Sequence, residues 1–135
     1  MSTFLLEIVT PERKVYADEA SMVVARGVEG ELGILPNHIP LVTPLKISSI
    51  TVKKQGSKDE IIAVNGGFME VRKDKVVILA ESAELPEQID VERANAAKER
   101  AEKRLADAKQ ANVDFKRAEA ALQRALNRIA TSGKK

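Results

Sequence analysis

Residues 61–80 read IIAVNGGFMEVRKDKVVILA, and this stretch decides the fold of the first part of the chain. Three short apolar runs, 61–64, 68–71 and 76–80, are separated by NGG at 65–67 and by KDK at 73–75. Short runs with Gly, Asn or Asp turns between them are typical of antiparallel sandwiches and barrels. We therefore predict three strands here, joined by turns at 65–67 and at 73–75.

The same pattern continues toward the N-terminus. Phe4, Leu6 and Ile8 alternate with their neighbours, which predicts a strand with one buried face. A further apolar run begins at Ile47 and leads to the turn sequence KQGS at 54–57. The first half of the chain is therefore predicted to be all β.

The composition changes abruptly near residue 88. All 5 prolines and 6 of the 7 glycines precede that point. Residues 1–87 carry 10 basic and 13 acidic groups, net −3, whereas residues 88–135 carry 12 basic and 7 acidic groups, net +5. We therefore predict two domains, 1–87 and 88–135, of opposite charge.

The second half is predicted to be helical because it contains 12 alanines and lacks Gly and Pro until Gly133. Asp90 is a candidate N-cap for a helix over 91–108. Asn112 or Asp114 is a candidate cap for a second helix over 114–131. The predicted fold class is α+β in two domains: an N-terminal antiparallel β-sandwich, then a C-terminal antiparallel two-helix hairpin.

Each predicted helix carries one apolar stripe with spacings of three and four residues. The first stripe is almost entirely alanine, so its contact buries little apolar area and the hairpin should be marginal by itself. We therefore expect a hairpin that can open. The stripes are Ala94, Ala97, Ala101, Leu105 and Ala108 in the first helix, and Phe115, Ala118, Leu122, Ala125 and Ile129 in the second.

Several classes of protein are excluded by the composition. The chain has no Cys and a single His, so it holds neither a thiolate metal site nor a His-rich zinc site. Its longest apolar run, Val76 to Ala80, is too short to span a membrane. The first ten residues lack the basic region of a secretory signal, so we expect a cytoplasmic chain.

Six arginines in the second half occur as two triplets with the same spacing. Within a triplet the separations of seven and four residues place the side chains within about 40° on a helix. Three interpretations remain open: a solvated face, a polyphosphate site formed by converging guanidiniums, or a basic strip for an acidic protein. The triplets are Arg93, Arg100 and Arg104, and Arg117, Arg124 and Arg128.

No catalytic constellation is recognisable. His38 lies in a Pro-rich loop without a nucleophile motif, which favours a structural or interface histidine over a general base. A small hydrolase that uses His38 and a carboxylate is the enzyme hypothesis, and the lack of a nucleophile argues against it. We therefore predict a non-catalytic chain.

Two motifs in the first half resemble the epsilon subunit of the F-type ATP synthase. They are GELGILPNHIPL at 30–41 and NGGFMEV at 65–71, and the resemblance continues through the Ala-rich tail. Asn37 stands where many relatives have glycine, in a turn where asparagine tolerates left-handed backbone. The resemblance implies a sandwich that binds the gamma subunit and touches the ring of c subunits.

The same resemblance assigns roles within the loop. It implies that Glu31 and His38 contact partner subunits, and that Gly30, Gly33 and Pro36 shape the loop. It also implies a peripheral position on the cytoplasmic face of the cell membrane.

The segment IDVERA at 89–94 matches a motif by which some bacterial epsilon subunits resemble nucleotide binders. The resemblance implies a regulatory ATP, not a substrate, bound through the motif and through phosphate-contacting arginines. The implied site residues are Glu84, Ile89, Asp90, Arg93, Ala94, Arg100, Arg124 and Arg128.

ATP would then favour the closed hairpin, because a polyphosphate relieves repulsion between crowded arginines. Without nucleotide, the helices would extend along gamma, meet acidic segments of the catalytic beta subunits and block hydrolysis. The alternative is a free-standing nucleotide or polyanion sensor, for which the basic tail is the only support.

Overall fold

The computed structural model describes residues 2–107 and 115–133. The chain divides into two compact units, Met1–Leu85 and Pro86–Lys135. This division falls two residues before the boundary expected from composition, immediately ahead of Pro86.

The first unit is built from β-strands. Within the described residues the strands are β1 (Phe4–Val9), β2 (Lys14–Ala20), β3 (Met22–Gly27), β4 (Gly30–Ile34), β5 (Leu41–Lys53), β6 (Glu60–Val71), β7 (Lys75–Ala80) and β8 (Ala83–Glu84). They share one hydrogen-bonded path in the order β2-β1-β7-β6-β5-β3-β4, with β8 paired to β6. All neighbours are antiparallel except β1 and β7, which are parallel.

The core of this unit forms from alternate residues of these strands. Phe4, Leu6 and Ile8 are all buried, as their alternation predicted. Val76 and Ile78 are buried on β7, which pairs with β1. Residues from both ends of the strand path share a single apolar cluster, so the strands enclose one core as a sandwich.

One carboxylate interrupts the apolar pattern of β1. The side chain of Glu7 is largely buried and pairs with Lys14 Nζ on β2 and with Lys75 Nζ on β7, each at 2.5 Å. Hydrogen bonds from these two ammonium groups lower the pKa of Glu7 to about 2. The pairs therefore link β1 to the strands on both of its sides.

The turn predicted at 65–67 is wrong, because β6 continues unbroken through these residues. Gly66 and Gly67 adopt φ values of 83° and 134°, which residues other than glycine rarely adopt. Before the glycines β6 pairs with β8, and from Gly67 onward it pairs with β7. The glycines therefore mark an irregular point where the strand changes neighbour, not a hairpin loop.

The strand predicted to begin at Ile47 begins at Leu41 and includes Pro44. Proline is tolerated there because Pro44 lies beyond Leu45, the last residue of β5 in register with β3, and its carbonyl oxygen on that side accepts from the N–H of Val28. No ladder bond from the proline nitrogen to β3 is therefore needed. The turn at 54–57 is confirmed, and Gly56 supplies its positive φ of 75°.

The second unit begins with a 3-10 turn, Pro86–Gln88, followed by α1 (Val91–Asp107) and α2 (Phe115–Ser132). Both helices lie within one residue of the predicted limits. Asp90 caps α1 as predicted, because its Oδ1 accepts a hydrogen bond from the backbone N–H of Arg93 at 3.0 Å. The candidate caps Asn112 and Asp114 lie outside the described residues.

The two helices pack through small side chains, and the hairpin is confirmed. The predicted stripes supply the buried residues of the hairpin. Two predicted members of the stripes, Ala108 and the side chain of Phe115, lie outside the described part of the structure. Neither helix, over the parts described, is long and apolar enough to cross a membrane. The buried stripe residues are Ala94, Ala101, Ala118 and Ala125, with Ala97, Leu105, Leu122 and Ile129 half-buried.

Candidate functional site

The IDVERA segment forms the start of α1 and divides by burial into two pairs. Ile89 and Ala94 are buried, so they hold the helix start in place. Asp90 and Arg93 are exposed, and the backbone of Arg93 is fixed by the Asp90 cap. The motif therefore presents one carboxylate and one guanidinium from a fixed helix terminus.

The predicted phosphate-contacting arginines lie on both helices. Arg100 is exposed on α1, about 10 Å along the axis from Arg93 at 1.5 Å per residue. Arg124 and Arg128 lie one turn apart on α2 and are half-buried. Because α2 packs against α1 and against the turn Pro86–Gln88, these residues share one compact unit.

Glu84 lies elsewhere in the chain. It belongs to β8 of the first unit, opposite Ala63 of β6, and its side chain is half-buried.

Three arginines of the hairpin have no carboxylate partner in the part of the chain that the structure describes. Among the described residues, Arg93, Arg100 and Arg124 form no ion pair within 4.0 Å of a carboxylate. Guanidinium groups without carboxylate partners are good donors for phosphate oxygens. The donor set therefore fits a polyphosphate anion.

No comparable arrangement exists for a metal. Over residues 2–107 and 115–133, no group of three or more His, Asp or Glu side chains is placed to hold a metal ion.

The loop between β4 and β5 has a defined turn. Asn37 adopts φ 65°, and the N–H of His38 donates to the carbonyl oxygen of Leu35 at 3.3 Å. The left-handed backbone expected at Asn37 is confirmed. His38 Nδ1–H donates to the carbonyl oxygen of Ile39 at 2.6 Å, so this ring is held by its own loop. Glu31 is exposed on β4, 3.9 Å from Arg26.

The same loop exposes apolar side chains that the sequence analysis missed. Ile39 is 75% exposed and Leu35 is 56% exposed. The sequence signal for this exposure is Ile39 itself, which lies between Pro36 and Pro40 in a loop and has no strand or helix pattern that would bury it. These two side chains, beside His38, suit contact with an apolar partner.

A second apolar surface lies on the sandwich. Phe68 is 53% exposed and lies directly opposite Pro44 on β5 and Leu79 on β7. Val42, two residues from Pro44 on the same strand face, is also exposed. These four residues, the apolar row, cross three neighbouring strands. Sequence reasoning missed the row because it assigned Phe68 only to a strand.

Family models match both parts of the chain. The beta-sandwich domain of the ATP synthase delta/epsilon chain matches residues 3–86. The long alpha-helix domain of the same chain matches residues 87–133.

Bacterial relatives are similar over most of the chain. An ATP synthase epsilon chain from Alkalihalophilus pseudofirmus is 61% identical over 134 residues, covering 99% of this chain and 100% of the relative. One from Brevibacillus brevis is 64% identical over 107 residues, covering 79% and 81%.

Solved structures share the fold. A chain of the Euglena gracilis mitochondrial ATP synthase, solved as OSCP/F1/c-ring, has a TM-score of 0.80 at 24% identity, over 96% of this chain and 81% of that chain. A chain of the Tetrahymena thermophila mitochondrial ATP synthase central stalk and c-ring has a TM-score of 0.58 at 13% identity, over 98% and 96%. Both domains are matched in order, and the Alkalihalophilus pseudofirmus relative is similar along its whole length. The chain therefore belongs to the ATP synthase delta/epsilon chain family.

Proposed function

We propose that the chain is a central-stalk subunit of a bacterial ATP synthase whose hairpin binds ATP and restrains ATP hydrolysis. The observation that carries the ATP proposal is that Arg93, Arg100 and Arg124 have no carboxylate within 4.0 Å among the described residues, on a hairpin whose buried contacts are alanines. The epsilon chains to which it is similar, and the central-stalk structures that share its fold, support the assignment to the stalk.

The sandwich supplies the contacts to the rest of the rotor. The apolar row offers a hydrophobic strip to the gamma subunit, because exposed contiguous apolar surface on a sheet face marks an interaction site. The loop 30–41 offers Leu35 and Ile39 to the ring of c subunits, with Glu31 and His38 as polar contacts beside them. Its defined turn keeps these side chains on a fixed backbone.

The hairpin supplies the regulatory site. Arg93, Arg100, Arg124 and Arg128 hold the phosphates of ATP, since guanidinium groups bind phosphate oxygens as paired donors. Asp90 supplies a polar contact near the ribose or base, and Ile89 and Ala94 shape the site. ATP is a regulatory ligand here, and the chain itself performs no chemistry.

Regulation follows from the weakness of the hairpin interface. Alanine contacts bury little apolar area, while both of the packed helices carry arginines. A bound polyphosphate removes the repulsion and favours the closed hairpin. In its absence the helices extend along gamma, and their arginines meet carboxylates of the catalytic beta subunits, which blocks rotation in the hydrolysis direction.

Titration of the isolated chain with ATP, with and without magnesium, tests this site directly. Calorimetry of the parent chain is expected to show one ATP per chain. Asp90→Ala should lower the affinity about ten- to hundredfold, because a hydrogen bond to a charged group contributes about 1.5–3 kcal/mol.

Asp90→Ala also removes the helix cap, which costs about 1 kcal/mol of helix stability. Asp90→Ser separates the two effects, because serine caps a helix as well as aspartate does but carries no charge. We expect Asp90→Ser to keep the thermal unfolding midpoint of the parent and still to bind ATP weakly. ATP affinity equal to the parent in both variants would remove Asp90 from the site.

The apolar row predicts a separate variant. Phe68→Asp places a charge in the middle of the row and should weaken binding to gamma at least about thirtyfold, the effect of losing a central aromatic contact. Surface plasmon resonance with immobilised gamma measures this. Ser57→Asp, in the exposed turn at 54–57, introduces the same charge elsewhere on the sandwich and should bind normally. If Phe68→Asp binds gamma as tightly as Ser57→Asp does, the row is not the gamma contact.

A further inference from the structure

The helix α2 has a second face, separate from the alanines that pack on α1. Arg124, Asn127, Arg128 and Thr131 follow one another at i, i+3, i+4 and i+7. At 100° per residue this spacing places all four within about 100° of arc. Asn127 and Thr131, which have no role in the function proposed above, therefore share a helix face with two of the arginines proposed to bind phosphate.

Both of these residues carry buried polar atoms without partners. Thr131 is completely buried at 0% exposure, and within the described part of the chain its Oγ1 has no hydrogen-bond partner. The same holds for Nδ2 of Asn127, which lies one helical turn earlier. A helical threonine ordinarily bonds a backbone carbonyl of the preceding turn, so the isolated hydroxyl of Thr131 is unusual.

The neighbouring serine shows the ordinary arrangement. Ser132 is also buried, but its Oγ donates to the carbonyl oxygen of Ile129 at 2.8 Å. A buried hydroxyl at this end of α2 can therefore still form a hydrogen bond. Buried polar groups in folded proteins nearly always have partners, and an exception calls for a ligand or another explanation.

We propose that Asn127 and Thr131 bind the nucleoside part of the ATP, beside the arginines that bind its phosphates. This inference rests on the proposed function of the hairpin. The amide of Asn127 donates through Nδ2, and the hydroxyl of Thr131 both donates and accepts. These groups match ribose hydroxyls and base nitrogens, which offer both donors and acceptors. Phosphate oxygens only accept hydrogen bonds, and the neighbouring arginines already supply paired donors for them.

The experiment compares ATP with inorganic tripolyphosphate, which carries the same phosphate chain without the nucleoside. Calorimetry is done on the full chain for the parent, Thr131→Val and Asn127→Ala. Each variant should bind ATP about three- to tenfold more weakly, the effect of one lost neutral hydrogen bond, and should bind tripolyphosphate as the parent does. Ser132→Ala is the matched control, because its hydroxyl bonds its own helix, and it should change neither affinity.

Thr131→Val also separates a ligand contact from a structural role. Valine has nearly the same shape and removes the unpartnered hydroxyl, so the thermal unfolding midpoint without ligand should be equal to or above that of the parent. A variant that is at least as stable yet binds ATP more weakly supports the inference, whatever Asn127→Ala does to folding.

Three outcomes would overturn it. ATP affinities of both variants equal to the parent would show that neither side chain contacts the nucleotide. Equal losses of affinity for ATP and for tripolyphosphate would show that Asn127 and Thr131 only position the phosphate-binding arginines and do not contact the nucleoside. A parent chain that binds no ATP at all would reject the proposed function as well, whereas the first two outcomes leave ATP binding intact and reject only the nucleoside contact.

Discussion

Replacing Arg100, Arg124 and Arg128 together by alanine should lower ATP affinity about a thousandfold or more. Each charged hydrogen bond contributes about 1.5–3 kcal/mol, and about 1.4 kcal/mol corresponds to a factor of ten. Under the proposed function, the same guanidiniums meet carboxylates of the beta subunits when the hairpin is extended. The triple variant should therefore also release ATP hydrolysis from inhibition. Calorimetry of the isolated chain and ATPase assays of the reconstituted catalytic sector measure the two effects.

A charge-matched variant separates position from net charge. Replacing Lys103, Lys116 and Arg117 by alanine also removes three positive charges, and all three are exposed residues of the same helices. It should bind ATP almost as the parent does, because none of the three belongs to the proposed site. If the arginine triple variant loses ATP binding but inhibits hydrolysis as strongly as the parent, inhibition is steric or uses other residues, and the shared-arginine mechanism is wrong.

The helical half of the fold was predictable because its determinants are local. A cap at Asp90, the lack of Gly and Pro, and stripes at spacings of three and four all act within a few residues. Each helix end therefore lies within one residue of its predicted position. The alanines on both helices also gave the correct interface, since the small buried residues occupy the predicted stripes.

The β half was predictable in class but not in detail. The same NGG sequence serves equally well in a hairpin turn or at an irregular point within a strand, because glycine permits the positive φ that both require. Which one forms depends on β7 and β8, the strands that pair with the two halves of β6. That pairing is non-local, so local sequence reasoning favoured the more common turn.

For the candidate site, too, only the features that depend on local sequence were predictable. Helix periodicity placed Arg124 and Arg128 on one face, and this needed no structure. The exposure of Phe68 and the burial of Thr131 depend on tertiary packing, and a strand phenylalanine or a helical threonine gives no signal of either. Exposed apolar surfaces and buried polar atoms are therefore visible only in the folded chain.

The position at which β6 changes neighbour leads to the largest expected effect on stability. An added Cβ at Gly67 would meet the carbonyl oxygen of Leu79 and would lie 2.9 Å from the Cα of Ala80. Both atoms belong to the backbone of β7, which is hydrogen-bonded to β6 at this point, so relief of the clash requires the strands to separate. The positive φ of 134° adds strain for any residue with a side chain.

Gly67→Ala should therefore lower the free energy of unfolding by about 4 kcal/mol or more, adding backbone strain to overpacking. Gly56→Ala is the matched control, because Gly56 also has a positive φ, of 75°, but no atom lies within 4 Å of an added Cβ. That variant should lose only about 1–2 kcal/mol, the cost of left-handed backbone alone. Urea denaturation of the full chain, followed by circular dichroism of the β signal, measures both. Equal losses of unfolding free energy in the two variants would show that the positive φ alone destabilises both. In that case β7 moves to accommodate the added methyl group, and the close contact of β6 and β7 at Gly67 does not constrain the sandwich.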